Sequence, residues 1–179
     1  MKGTTVSTSN SKQPAARRKG HLELVRGQGD ARPFIHLLMN FLHRADRDRR
    51  GLYSGDLDLA AVGETVGLAA VEPDARKPEF LEKFGDYRAV IGVEGQRPVT
   101  AMSISQATGI PRETVRRKLK LLLARGVIVE KTRGGYVFKP GHIQKPENLE
   151  LIDRGMRDAL QFMNDCVKLG LVRWVDETD

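Results

Sequence analysis

The stretch Ser103–Phe138, "SISQATGIPRETVRRKLKLLLARGVIVEKTRGGYVF", decides how this chain reads. Ser103 with Gln106 three residues later has the form of a capping box, which predicts a short helix over about Ile104–Thr108. Gly109 stands where the chain must turn sharply. Pro111 cannot prolong the first helix but can open a second. That second helix is expected to run to about Arg125, with Gly126 as its stop. On it Val115, Leu119 and Leu122 share one face. Glu113, Arg116, Arg117 and Lys120 fall opposite, and Arg112 sits at the N-terminal end. "VIVEK" and "YVFK" follow as two short β-rich runs, and the "TRGG" between them supplies glycines able to take positive φ. "PVTAM", just before Ser103, can add a third short strand.

Two helices joined by a turn of about three to four residues containing glycine make a helix-turn-helix, whose second helix enters the DNA major groove N-terminal end first. A hairpin directly after that helix is a wing. The charge follows the same segment. From Arg97 to Lys139 there are ten Lys or Arg against Glu113 and Glu130, a balance of +8, while the whole chain carries +7. The remainder therefore sums to −1, and the positive charge is concentrated on the motif, as an electrostatic footprint on DNA requires.

Outward from the motif, the chain has 179 residues, of which 40% are hydrophobic and 30% charged. This is enough for one cored domain with appendages. Residues 1–30 are rich in Ser, Thr, Lys, Arg and Gly and read as a flexible basic tail. Within it "ARRKG", Ala16–Gly20, is either a solvated tail or an arm that follows DNA. Residues 31–96 read as a supporting or dimerising helical region. One helix starts at Pro33, carries Phe34, Leu37, Leu38, Phe41 and Leu42 on its apolar face, and stops at Gly51. A second spans Asp56–Val71, while residues 72–96 fit a short helix or a loop equally. Residues 97–140 hold the winged motif. Residues 141–179 hold a helix from Pro146 to Leu169 with Gly170 as its stop. Its stripe of Leu149, Ile152, Met156, Ala159, Met163 and Cys166 suits pairing with another helix, in the same chain or in a second copy. The expected fold class is mainly α with a small β-wing, flanked by N- and C-terminal helices.

The order strand, helix, turn, helix, hairpin resembles the winged helix-turn-helix regulators of bacteria, of the MarR and IclR types. "ATGIPRETVRRKLKLLLARGVI" is similar to their turn and recognition helix. Gly109 matches the turn glycine, Thr114 and Val115 a recurrent Thr-Val pair, and Gly126-Val127-Ile128 the exit into the wing. Pro111 departs from the pattern, since a Ser or Thr cap is common there, and this touches the start of the helix. The similarity covers about residues 97–140. A long helix at each end of a winged domain resembles the dimeric arrangement of MarR-type proteins. The resemblance implies a homodimer whose recognition helices lie roughly one turn of DNA apart and read a pseudo-palindrome.

Double-stranded DNA is thus the expected partner. Arg112, Arg116, Arg117 and Lys120 are the candidates for base edges and phosphates. Glu113 can accept from cytosine N4, although offsetting local repulsion is the favoured reading. Thr114 and Ser103 can donate to phosphate, and for Ser103 the capping role is favoured. Arg133 at the hairpin tip can reach backbone or minor groove. Repression by occupying a promoter is the expected outcome. An unknown small-molecule effector is allowed, and no polar cluster identifies one.

Other classes have less support. His21, His36, His43 and His142 form no metal-ligand spacing with Cys166, and "GVEGQ" lacks the Lys-Ser/Thr of a phosphate loop. No enzyme activity, cofactor or metal is therefore expected. Cys166 reads as a small buried hydrophobe in preference to a redox switch. A single cysteine, no apolar run near the roughly 18 residues of a membrane span, and no apolar block behind Lys2 fit a cytoplasmic, nucleoid-associated protein. An RNA-binding winged module and a protein-interaction adaptor remain the alternatives. The aromatic content of 6%, with none on the basic helix, disfavours base stacking.

Overall fold

In the computed structural model, residues 19–25 and 31–176 are described. The first helix, α1, spans Ala31–Leu52 and so begins before Pro33 and runs through Gly51. Its stop is a turn in which Ser54 and Gly55 take φ of 55° and 82°. Asp56 then caps α2, Leu57–Val71, its side chain accepting from Leu59 N–H at 2.9 Å. In the undecided 72–96 segment, Pro78 opens a short helix, α3, Pro78–Phe84, and a 3₁₀ turn follows at Val93–Gly95. Strand β2, Val99–Thr100, leads into α4, Ala101–Thr108, and α5, Arg112–Ala124. Strands β3, Ile128–Thr132, and β4, Gly135–Phe138, precede the last helix, α6, Pro146–Lys168.

The three strands form one antiparallel sheet in the order β2-β4-β3, with Val99 opposite Tyr136 and Ile128 opposite Phe138. A second, two-stranded sheet was not foreseen from the pattern. Strand β1, Gly20–Leu24, pairs antiparallel with β5, Val172–Asp176, bringing Leu22 opposite Trp174. Residues 20–24 are therefore a strand where a tail was expected, because a β-prone segment 150 residues away supplies its ladder. The rest of the expected tail, including most of "ARRKG", lies outside the described residues.

The main core gathers Tyr53, Leu59, Val62 and Val66 with Val99, Ile104, Val115, Leu119, Leu122 and Ile128. It crosses the border expected at residue 96, since α2 packs against α4, α5 and β4 and acts as the first helix of the winged domain. Gln96, itself buried, ties that seam together. Its amide donates to the carbonyls of Ile91 and Phe138, at 3.2 and 3.0 Å, and its oxygen accepts from Phe138 N–H at 3.0 Å. Outside this core α1 packs along α6 of the same chain. Phe162 sits between Phe34 and Phe41, with ring centroids 5.9 and 5.6 Å apart, and Arg44 reaches Asp158 at 3.2 Å.

Candidate nucleic-acid interface

The turn between α4 and α5 is built by side chains on either side of Gly109. Gly109 takes φ of 71°, a left-handed conformation that costs a residue with a Cβ on the order of 1 kcal/mol. Thr108 Oγ1 donates to the Ile104 carbonyl at 2.7 Å and accepts from Ile110 N–H at 3.3 Å. Ser105 Oγ donates to the Ile110 carbonyl at 2.7 Å. Two hydroxyls thus satisfy backbone groups that the sharp change of direction strips of helical partners.

Both helix starts differ in detail from expectation. Thr100 caps α4, accepting from Ser103 N–H at 3.2 Å, so Ser103 is the third helical residue and not the cap. The reason is β2: the strand ends at Thr100, which makes Ala101 the first helical residue, two before Ser103. Ser103 stays exposed, with its hydroxyl 3.1 Å from that of Thr100. Pro111 occupies the cap position of α5 without a side-chain hydrogen bond, and Arg112 is the first helical residue. The first N–H groups of α5 therefore have no side-chain cap, and the positive end of the helix dipole carries Arg112.

Val115, Leu119 and Leu122 are fully buried or nearly so. Arg112, Glu113, Arg116, Arg117 and Lys120 are exposed, and Thr114 is half-buried between the two sides. Glu113 lies 3.9 Å from Arg116, within the same helix face. The wing turn carries Arg133 exposed at its tip. Gly134 takes φ of 73°, and its N–H donates to Glu130 Oε1 at 2.5 Å. The structure thus places Arg112, Arg116, Arg117 and Lys120 on one face and Arg133 on the neighbouring hairpin.

Two of the ten cations counted in the sequence turn inward. Lys118 is buried, and its ammonium meets Asp56 Oδ2 at 2.5 Å, so the residue that caps α2 also fastens α5. The Lys118 ammonium holds the Asp56 carboxyl below the usual carboxylate range. The signal was present: 115, 118, 119 and 122 complete a helical core stripe, which puts Lys118 on the buried side. Lys131 sits at a bulge in the β3–β4 ladder, between Glu130 and Thr132. The extra residue re-aims its side chain, which donates to the carbonyls of Glu94 and Gln96 at 3.0 and 2.9 Å. The other eight, Arg97, Arg112, Arg116, Arg117, Lys120, Arg125, Arg133 and Lys139, are exposed.

Among the described residues no group of three or more His, Cys, Asp or Glu is placed to hold a metal ion. No described helix is long and apolar enough to cross a membrane. Cys166 is buried in α6, and burial pushes its thiol up. No curated protein and no solved structure gives a significant match to the chain. Residues 93–137 match a family model described as an HTH domain. That match runs from the 3₁₀ turn through α4, α5 and β3 into β4, so this part of the chain is a helix-turn-helix domain, and its three-stranded sheet makes it winged.

Proposed function

We propose that the chain is a homodimeric, sequence-specific regulator of transcription of the MarR or IclR type, which represses by occupying double-stranded DNA at a promoter. The observation that carries this reading is the division of α5. Its leucines and Lys118 anchor one side to α2, while Arg112, Arg116, Arg117 and Lys120 are presented together on the other. A convex, cationic helix with an open N-terminus fits the major groove, where arginine recognises guanine. Arg133 meets phosphate or the minor groove, Thr114 meets phosphate, and Glu113 tempers the repulsion around Arg116. The reading assigns no catalytic residue and no cofactor, and a site of action at the nucleoid follows from the ligand.

Dimerisation is supported by an apolar stripe that the α1–α6 pair leaves uncovered. Ile35, Met39 and Leu42 of α1 are 44–56% exposed at spacings of four and three. Met156, Leu160, Met163 and Val167 of α6, 44–54% exposed, keep spacings of four, three and four. Neighbouring apolar rows of this length mark an interface, and a second copy presents the same rows to itself about a two-fold axis.

A salt titration of duplex binding tests the reading. The slope of log K against log salt is expected to fall by about 0.9 for each phosphate contact removed. Replacing Arg116 and Arg117 together by Ala therefore reduces it by up to about 1.8 while the melting temperature holds. Unchanged duplex affinity in that variant removes α5 as the recognition helix.

A further inference from the structure

Strands β1 and β5 form a ribbon of two, separate from the winged sheet. An isolated two-stranded ribbon is marginally stable at best in water. This one joins segments 150 residues apart, which adds a loop-closure cost. Its ladder also fixes which backbone groups stay free. Val25 N–H donates to the Leu171 carbonyl at 3.0 Å, and hydrogen-bonded pairs alternate along an antiparallel ladder. Glu23 and His21 therefore turn their N–H and C=O groups towards Arg173 and Val175, while Gly20, Leu22 and Leu24 turn theirs to the outer edge of β1. Among the described residues no third strand covers that edge. Residues 20–24 include no proline and no lysine, and their ladder has no bulge. These are the devices that keep exposed edges from pairing.

We propose that β1 pairs antiparallel with β1 of a second copy, Leu22 against Leu22 on the two-fold axis, to make one four-stranded sheet in the order β5-β1-β1-β5. In this register Gly20 faces Leu24 of the second copy and Leu22 faces itself. Every outward N–H and C=O of Gly20, Leu22 and Leu24 then meets an outward partner.

The side chains agree with that register, because opposite residues share a face and interact. His21 meets Glu23 of the second copy, and Glu23 meets His21. Within one chain the Glu23 carboxylate lies 3.3 Å from both His21 and Arg173. In the four-stranded sheet it stands in a row between Arg173 of its own chain and His21 of the other. On the opposite face Leu22 and Trp174, 48% and 43% exposed, extend into a row of Trp, Leu, Leu and Trp across the two copies. Other pairings fit less well. The edge of β5 against itself, with Trp174 on the axis, sets Asp176 against Val172 and Arg173 against Val175. The edge of β1 against β5 of another copy is a head-to-tail contact, which adds chains without closing.

The contact deepens the dimer put forward above and rests on it. The exposed row of α6 ends at Val167, and the exposed Leu169 and the turn at Gly170 lead directly into β5. Apolar rows attract without direction, so they leave the two copies free to slide. A hydrogen-bonded ladder on the same axis fixes their register, and with it the separation of the two α5 helices.

The test is disulfide trapping in the full chain. A His21→Cys chain and a Glu23→Cys chain, one with a larger tag, are co-expressed and oxidised with copper phenanthroline. In the proposed register these positions form a non-hydrogen-bonded pair with Cα atoms about 4.5 Å apart, within disulfide reach. Two copies of the same variant hold their cysteines two residues out of step, about 6.6 Å further along the strand and so beyond the roughly 7 Å limit. The native Cys166 is buried. The expected result on a non-reducing gel is a mixed cross-linked pair at least about tenfold above either self-linked pair, as that difference in reach implies. Light scattering coupled to gel filtration is run on the same chains. A dimer mass without that excess overturns the ribbon pairing and leaves the helical dimer standing, while a monomer mass without a cross-link overturns both.

Discussion

Lys118→Met separates the structural cations of α5 from those proposed to meet DNA. The substitution keeps an unbranched apolar stem of similar length in a position 9% exposed and deletes only the ammonium. What is lost is a charge-assisted hydrogen bond of 2.5 Å to Asp56. Such bonds contribute roughly 1.5–3 kcal/mol net. The Asp56 side chain is 32% exposed, so water screens the pair and can rehydrate the abandoned carboxylate, which places the cost nearer about 1–2 kcal/mol. For a chain of 179 residues, each kcal/mol moves the melting temperature by about 2–4 °C. A fall of about 2–8 °C is therefore expected in a thermal melt followed by circular dichroism. Asp56 also caps α2, and that cap survives, which keeps the loss within this range. The salt slope of duplex binding, measured on the same variant, is expected to stay unchanged because Lys118 releases no counterion from DNA. A variant that melts like the parent but binds with a slope reduced by about 0.9 refutes the reasoning. Lys118 would then leave Asp56 for a phosphate, and the basic face would be wider than α5 presents here.

Gly109→Ala places a Cβ at φ of 71° in open space, so strain alone is felt and the melting temperature drops by the equivalent of about 1–2 kcal/mol. Leu160→Lys combined with Met163→Lys puts two charges into the exposed α6 row, and light scattering coupled to gel filtration is expected to report half the parent mass; an unchanged mass moves the dimer contact elsewhere. Protonation of His142 is expected to weaken the fold. Burial first, then Lys145 and Lys139, hold its imidazole below the ordinary range, with Glu147 opposing. Between the lowered folded value and the ordinary value of about 6.5, the unfolded chain carries a proton that the folded chain does not. The stability from His142 is thus present above pH of about 6.5 and lost as pH falls towards the folded value. Melts from pH of about 8 to 5 check this, with His142→Phe expected to decline less than the parent.

The motif was legible because each of its parts is decided locally. A Gly turn, a proline at the second helix start, leucines at steps of three and four, and a Gly-Gly hairpin carry their conformational preferences wherever they stand. What escaped was set by partners distant in the chain. Ser103 loses the cap to Thr100 because the short ladder with Tyr136 and Gly135 brings the chain into the helix early. Residues 20–24 carry no strand signal stronger than that of a polar tail, and become a strand only beside residues 172–176. α2 belongs to the winged core although α3 and a 3₁₀ turn separate it from α4, and no local pattern states which later helix will cover Leu59, Val62 and Val66. Lys118 was readable from its place in the core stripe, yet the chemistry of lysine argues for the surface until an acid is found to receive it.

That acid joins two demands that a groove-binding helix makes at once. The exposed face of α5 must be crowded with positive charge, which repels itself along the helix and loosens its attachment. Its buried face must hold the axis steady, because misplacement by about 1 Å spoils bidentate contacts. Leucines meet the second demand but do nothing about the first. Asp56 acts on both: one oxygen accepts from Leu59 N–H and fixes the start of α2, and the other pairs with Lys118, which stands between Arg117 and Leu119 in the chain. A negative charge is thereby held behind the cationic face, where it cannot reach the DNA. Reversing the pair by Asp56→Lys with Lys118→Asp keeps the attraction but trades the α2 cap for a cation at a helix N-terminus. The double variant is therefore expected to recover only part of the stability that Asp56→Lys alone loses, and full recovery would show that the cap contributes nothing.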